Sequence, residues 1–437
     1  MMPTGHGKRL LALLVIALAV RLGAAVWWQQ RLPPDLRFGF PDSESYWHLA
    51  GCVARGEPYA MNPDRQVFRM PGYPLSLAPL FMFTKNPPVL AARLLGAVWG
   101  TLAVAGVGLL AGRLFGGRAG WLAAVAALLY PGGIAMSVFV LSEAVFAPLM
   151  VWQLVLWVLA WKAIDPRRQF LLGLAAGLTG GAATLVRASW LLFTPFACGT
   201  MGLQRGERSR AIRLTVALLV GLTSAMLPWW VRNWRVTGAF VPTTLQVGES
   251  LYDGWGPQAT GGSDMRFVDE FRQRLQAEEA GVPRERLEGT FETRLDRRMR
   301  DAAVAWAAEN PWQALRLAGV KLWRIWSVWP NEPSLAHWRF GLVVLVSYTP
   351  LLILGLWGSW RFAVRGWPYG VCLLPAIYFS VLHMVFVGSI RYRQPPMLAL
   401  IVLAAGVVAG WWQGVERRRG QRNAANCRAE PAVGGDT

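Results

Sequence analysis

Charge is scarce in this sequence. Only 16% of its 437 residues are Asp, Glu, Lys or Arg, against about 25% in soluble domains. A chain so poor in charge cannot clothe a water-facing surface, and its 54% of hydrophobic residues turn most of that surface toward lipid. Cysteine is scarcer still. Cys52, Cys198, Cys372 and Cys427 stand far apart, which excludes a zinc-site spacing and a disulfide framework and leaves four unpaired, structural thiols. The four histidines, His6, His48, His337 and His383, are scattered, and nothing pairs them as metal ligands. Acids are outnumbered, 25 against 44 basic residues. In a soluble protein the resulting net charge of +19 would suggest nucleic acid. Here the arginines cluster in short segments between apolar runs, which is how orientation signals look, and nucleic-acid binding is the weaker reading.

What the chain does have is long apolar runs. About twenty apolar residues cross a bilayer. On that measure spans fall near 10–28, 89–112, 119–136, 138–161, 169–186, 188–203, 211–231, 338–360, 367–388 and 394–413, about ten helices of an all-α integral membrane protein. Trp27, Trp28, Trp161, Trp229, Trp230, Trp411 and Trp412 sit at run ends, as an aromatic belt at the headgroups would. Lys8-Arg9 before the first run fits a cleaved signal, but the run continues past Arg21 to Trp28, which favours a retained helix. The stretch 312–329 keeps Arg316, Lys321 and Arg324 among its apolar residues and reads as an interfacial helix. Were it a span, every later side would invert.

With the N-terminus inside, the inner segments are Arg113–Arg118, Lys162–Arg168, Arg205–Arg213, Arg361–Arg365 and the tail Glu416–Arg422, each rich in Arg or Lys as the positive-inside rule expects. Two long segments then lie outside, 29–88 and 232–337. The second opens with Gly/Pro-rich sequence (G-W-G-P-Q-A-T-G-G, 254–262) and continues as a polar helical stretch from Phe267 to Ala307. A loop of this length is usually functional or forms a small domain. The expected organisation is a catalytic membrane module at 1–231 that includes the first outer loop, an extracytoplasmic segment at 232–337, membrane helices at 338–413, and a cytoplasmic tail at 414–437, disordered from Arg417 on.

The first outer loop reads F-P-D-S-E-S-Y-W-H-L-A from Phe40 and R-M-P-G-Y-P from Arg69. Asp42, Arg187, the pair Arg232-Asn233 and the cluster Arg391-Tyr392-Arg393 all fall on the outer side, with Glu143 of L-S-E-A-V-F just inside the membrane there. A carboxylate among arginines at a lipid surface suits group transfer from a lipid phosphate. The acid takes the proton of an acceptor hydroxyl while guanidinium forks hold the phosphate. Each residue also has a plainer reading. Asp42 follows Pro41 and precedes a helical pattern (Tyr46, Leu49, Val53), where it could simply cap. Arg187 and Arg232 sit at span ends, where a snorkelling Arg needs no function. Arg391 and Arg393 run against the positive-inside bias. Glu143 needs a cavity or an Arg partner, and the cost argument extends to Arg21 within the first span. Glu44 points elsewhere on its helix and reads as solvated.

The order of these pieces resembles the C-type membrane glycosyltransferases, in particular the family of protein O-mannosyltransferases and lipid A aminoarabinose transferases. P-D-S-E-S-Y and R-M-P-G-Y-P resemble their acidic loop and Pro-rich turn, and L-S-E-A-V-F the acidic start of a later helix. T-L-V-R-A-S-W resembles their L-x-R motif, P-W-W-V-R-N-W-R-V-T-G-A-F-V-P their P-W-x-x-R-N-x-x-x-x-G stretch, and R-Y-R-Q-P-P their R-Y-x-x-P. The likeness covers nearly all of residues 1–413. It implies a polyprenyl-phosphate sugar donor, an acceptor (glycan, lipid or protein) outside the cytoplasm, and a multi-pass enzyme of the cytoplasmic membrane with its site facing outward. Asp42 becomes the catalytic acid or base, and Glu44, Tyr73, Glu143, Arg187, Arg232, Asn233, Arg391 and Arg393 the substrate-binding candidates. Two departures stand out. Ser43 separates the two acids, which in family members are often adjacent, and G-E-S-L (Gly248–Leu251) replaces G-G-x-N-L. They leave acceptor contacts and the need for a divalent metal ion open, and no other cofactor is implied. The rival readings are a polyprenyl-lipid transporter or flippase and a non-catalytic subunit of an envelope-polysaccharide system. A transporter predicts internal repeats or broken helices in matching halves, and neither is legible. A degenerate subunit would read much as the enzyme does.

Overall fold

The computed structural model describes residues 4–33, 36–204, 206–329 and 338–429. His337, the stretch 330–337 of the second long segment and the end of the expected tail, 430–437, lie outside the described residues, as do the side chains of His6 and Cys427. Helix α1 (Thr4–Arg31) leads to the first long segment, which carries α2 (Asp42–Arg55) and α3 (Gly72–Phe83). Then follow α4 (Val89–Phe115), α5 (Gly117–Leu129), α6 (Pro131–Val138), α7 (Glu143–Lys162), α8 (Pro166–Val186), α9 (Phe193–Gly202) and α10 (Arg208–Thr237). The second long segment holds α11 (Val247–Gly254), α12 (Phe267–Glu279), α13 (Phe291–Glu309) and α14 (Pro311–Trp326), and α15 (Trp338–Arg361), α16 (Leu374–Val385) and α17 (Gln394–Ala429) come last. The described residues contain no β-strand, only a bridge between Asn62 and Arg65.

Local sequence explains the ends that matter. α2 stops at Gly56, whose φ of 68° is open to glycine at little cost, and the N–H groups of Gly56 and Glu57 close back on Val53 and Cys52. α8 starts at Pro166 behind Asp165, whose carboxylate accepts from the Arg168 N–H at 2.8 Å. The polar stretch expected to run from Phe267 to Ala307 is two helices, α12 and α13. Gly281, Pro283 and Gly289 fall between them, and each opposes helix. The tail expected to be disordered from Arg417 continues as α17 to Ala429. Its Arg, Gln and Ala content favours helix once a packed helix has nucleated it.

Among the described residues seven helices are long and apolar enough to cross a bilayer: Lys8–Arg31, Val89–Phe115, Glu143–Lys162, Pro166–Val186, Arg208–Thr237, Gly341–Arg365 and Gln394–Gly414. α5 and α6 would make an eighth, bent by 59° where Tyr130 precedes Pro131. The segments 188–203 and 367–388, expected as spans, instead form α9 and α16, helices of 10 and 12 residues that each follow a short 3-10 turn. α14, 16 residues long with Arg316, Lys321 and Arg324 along it, is not one of them.

Packing fixes the direction of the long helices. Gly173 of α8 faces Leu214 and Ala217 of α10, and Gly181 faces Leu222 and Ala225, so the two helices run parallel. Gly355 and Gly358 of α15 meet Leu400 and Leu403 of α17 in the same sense. Parallel neighbours require the chain between them to return, and α9 and α16 make those returns. Small residues permit this close approach where lipid supplies no hydrophobic drive between helices.

The second long segment is fastened onto the first through residues 64–69. Arg65 pairs with Glu249 of α11. Glu292 of α13 accepts the N–H groups of Gln66 and Val67 at 2.8 and 2.9 Å. Asp296 accepts the Gly248 N–H at 2.6 Å, and Leu245 donates its N–H to the Val67 carbonyl at 2.9 Å. Burial pushes the Glu292 carboxyl up to about 7. The Val67 and Gln66 N–H groups and Arg65 oppose that rise, and Glu249 adds to it.

Two tests follow from this packing. A Cβ on Gly177 would overlap the Leu218 carbonyl, so Gly177→Ala is expected to cost roughly 1–3 kcal/mol of stability. Gly199→Ala, inside α9 and meeting nothing within 4 Å, should hold or slightly raise the melting temperature, since Ala favours helix over Gly. The folded protein holds the Glu292 proton more tightly than the unfolded chain does. The docked segment is therefore most stable below the ordinary carboxyl value of 4.5 and loses stability as pH rises through about 7. Glu292→Gln keeps an acceptor oxygen and cannot ionise. Its melting temperature relative to wild type should rise between pH 5 and pH 8, and a constant difference would refute the assignment.

Candidate functional site

Asp42 is the first residue of α2, yet it does not cap that helix; the N-cap position is Pro41 and makes no side-chain bond. Its carboxylate is claimed by two arginines, Arg69 Nη2 at 2.8 Å and Arg391 Nη1 at 3.5 Å. Arg391 also donates through Nη2 and Nε to Glu143 Oε1 at 3.0 and 3.2 Å. Arg187 Nη1 reaches the same oxygen at 2.7 Å. Arg69, Asp42, Arg391, Glu143 and Arg187 thus form one continuous ion network.

Several elements deliver these groups. Glu143 opens α7, Arg187 ends α8, and Arg391 lies in the turn before α17. The strap 56–71 brings Arg69, and α3 packs Gly72 onto the backbone of Leu185 and Val186, beside Arg187. Aromatic rings flank the guanidiniums. Arg69 lies over Tyr46 and Phe68, Arg187 over Tyr392 and Phe146, and Arg391 over Phe40, all within 5.7 Å of the ring centroids. Arg69 is further fixed by Ser45 Oγ and by Gln246 Oε1 of the second long segment, both at 3.1 Å.

Exposure grades along the network. Glu143 is wholly buried, while the side chain of Asp42 keeps 39% of its surface accessible. The acid at the open end is the one a substrate can reach. Burial would raise the Asp42 carboxyl, but the charges of Arg69 and Arg391 and the Arg69 hydrogen bond outweigh it and hold the group below its usual range. Three guanidiniums against two carboxylates leave one positive charge, which suits an anion. That donor set does not suit a divalent cation, since guanidiniums already occupy both carboxylates. Among the described residues no group of three or more His, Cys, Asp or Glu could hold a metal.

The other expected site residues lie elsewhere. Arg393 is buried and donates through Nη1 to the carbonyls of Ile325 and Ser327, under the ring of Tyr348; its donors do not reach the Asp42 crevice. Arg232 donates to the Tyr59 carbonyl at 2.7 Å and lies over Trp229. Asn233 holds the carbonyls of Val241 and Thr243 at 3.1 and 3.2 Å. Both tie the second long segment to its neighbours, and neither snorkels. Tyr73 is buried behind the network, edge-on to Tyr46 at 5.0 Å. Glu44 is exposed. Arg21 is buried and donates to the Ala17 and Ala127 carbonyls, so its partners are backbone oxygens. Two members of the site carried no expectation. Arg69 had a signal, a cation at the start of the Pro-Gly turn in the same loop as the acid. Gln246 had none, because only folding brings it to Arg69.

At the level of sequence, no family model and no curated protein matches the chain. Solved structures do. The oligosaccharyltransferase of Archaeoglobus fulgidus in its apo form aligns with a TM-score of 0.60 at 18% identity, over 95% of this chain and 52% of that one. The same organism's oligosaccharyltransferase AglB, in complex with an inhibitory peptide and a dolichol-phosphate, aligns at 0.59 and 17% identity, over 97% and 52%. ArnT from Cupriavidus metallidurans in the apo state is a looser match, with a TM-score of 0.43 at 16% identity, over 92% and 77%. The chain spans about half the length of the oligosaccharyltransferase chains it matches. At these identities the likeness is one of fold, and the all-helical membrane architecture expected from the sequence is the one this chain shares with those oligosaccharyltransferase structures.

Proposed function

We propose that this chain is a membrane glycosyltransferase that moves a sugar from a polyprenyl-phosphate-linked donor to an acceptor on the outer side of the cytoplasmic membrane. One observation carries the reading. A half-exposed carboxylate, Asp42, is bridged through Arg391 to the buried Glu143–Arg187 pair, with one positive charge in excess. The shared fold supports it, since one structure of that fold was solved with a dolichol-phosphate. The charges of the short segments support placing the crevice outside.

In the reaction the bond between the anomeric carbon and the phosphate oxygen breaks, and the polyprenyl phosphate leaves with the electron pair. The acceptor oxygen bonds to the anomeric carbon and gives its proton to Asp42. Arg391 and Arg187 take the phosphate, whose charge grows as the sugar departs, so their contacts strengthen toward the transition state. A carboxylate held below its usual range is a weak base. Binding solves this, because an Arg391 shared with phosphate holds Asp42 less tightly and lets its basicity rise. In the same position the ionised carboxylate stabilises positive charge developing on the sugar ring. Arg69 stays behind as the orienting partner.

Turnover of labelled polyprenyl-phosphate sugars by the purified protein in lipid nanodiscs tests the function. Binding without turnover, across a panel of donors and acceptors, would favour the non-catalytic subunit. Asp42→Asn removes the basic charge at constant size, and since Asp42 makes no cap bond, the variant should fold normally. Its rate should fall by roughly two orders of magnitude or more, and near-wild-type turnover would remove Asp42 from the mechanism. Arg69→Gln removes a lowering influence on Asp42 while burial remains, so the acid limb of the pH–rate profile should move to higher pH. An unmoved limb would mean that Asp42 does not set it.

A further inference from the structure

Arg391 does its work from a stretch that has no regular structure of its own. α16 ends at Val385, α17 begins at Gln394, and the eight residues between them contain no helical ladder. Local bonds satisfy part of its backbone, with the Tyr392 N–H on the Ser389 carbonyl at 3.1 Å and the Arg391 N–H on Ser389 Oγ at 3.3 Å; the rest needs partners outside the stretch, because an unpaired buried carbonyl or N–H is costly. That support comes from α14, in the second long segment. Lys321 of α14 is fully buried, and its ammonium donates to the last carbonyls of α16, Val385 at 2.7 Å and Met384 at 3.4 Å. A cation is the group best matched to a helix C-terminus. Arg324 Nε donates to the Gly388 carbonyl at 3.1 Å, and the Gly388 N–H donates to the Gly261 carbonyl at 2.8 Å. Gly388 lies so close to the Lys321 backbone that a Cβ there would overlap it.

The grip is reciprocal. From the far end of the same stretch, Arg393 donates to the Ile325 and Ser327 carbonyls, at the end of α14. The Tyr348 hydroxyl donates to the Trp326 carbonyl at 3.1 Å, beneath the ring on which Arg393 lies. Residues 386–393 are therefore pinned at both ends to one helix, with Arg391 between the pins.

We propose that Lys321 and Arg393 are positioning residues for Arg391, holding its turn against α14 so that its fork meets Glu143 and Asp42 together. This rests on the reading of Arg391 as the phosphate contact. A guanidinium bridging two carboxylates has little angular freedom, so a loosened turn gives up the second contact first, the 3.5 Å one to Asp42. The function of Lys321 is thus expressed only through Arg391.

A double-mutant cycle on the full chain in nanodiscs reads this directly, with undecaprenyl phosphate as the probe. Arg391→Gln should weaken probe binding. Lys321→Met should weaken it about tenfold in the wild-type background and less than twofold in the Arg391→Gln background, because coupled groups are non-additive. Equal losses in both backgrounds would overturn the inference, since a residue that merely stabilises the fold weakens both alike. Should Lys321→Met fail to fold, Lys321→Gln and Arg393→Lys, which keep an N–H donor, carry the same cycle with smaller losses and the same criterion. A wild-type protein that does not bind the probe overturns the donor reading, and this inference with it. A wild type that binds, but with additive losses, overturns this inference alone.

Discussion

A carboxylate buried as deeply as Glu143 cannot remain ionised without a counter-charge, because the loss of hydration must be replaced by a partner in place. Two guanidiniums meet that demand, Arg187 and Arg391. Arg391 turns its remaining N–H group on Asp42. This one shared fork obliges the end of α8, the start of α7, the start of α2 and the turn before α17 to converge, although 349 positions separate Asp42 from Arg391. The site has its shape because Asp42 and Glu143 must stay within hydrogen-bond reach of Arg391, and Arg187 within reach of Glu143.

The same constraint sorts the arginines by what they can do. Arg391, Arg187 and Arg69 are bonded to carboxylates and rest on aromatic faces, beside a half-exposed acid. An incoming phosphate can replace a carboxylate contact of this kind with another of equal chemistry. Arg393 and Arg232 end on backbone carbonyls instead. Moving either toward an anion would orphan a main-chain oxygen, and an unsatisfied buried acceptor costs about 1–3 kcal/mol. Proximity in sequence is no guide to this difference: Arg391 and Arg393 are two residues apart and face opposite tasks.

The second long segment acts on the crevice without lining much of it. Gln246 steadies Arg69, α11 and α13 hold the strap 64–69, and α14 holds the turn of Arg391. Glu249, in the G-E-S-L stretch, is used in that fastening through its pair with Arg65. The network is therefore clamped from both loops, and its geometry depends on residues that touch none of the reacting groups.

Hydropathy alone determined the membrane class and the places of the long helices, since apolar runs of about twenty residues have few alternatives. The order of short motifs pointed to the fold and to a wider candidate set, Asp42, Glu143, Arg187 and Arg391 together with Glu44, Tyr73, Arg232, Asn233 and Arg393, because an acid or a cation beside an apolar run is costly enough to be legible. Sequence could not measure α9 and α16, whose apolar stretches read as full spans; helix-to-helix register decided their length and the parallel pairing around them. It could not tell Arg391 from Arg393, nor credit Gln246 and Lys321, because the partners that assign these roles are backbone carbonyls and side chains distant in the chain. Which donors meet carboxylates and which meet carbonyls is a property of tertiary contact, and that contact separates Arg69, Arg187 and Arg391 from Arg232, Lys321 and Arg393.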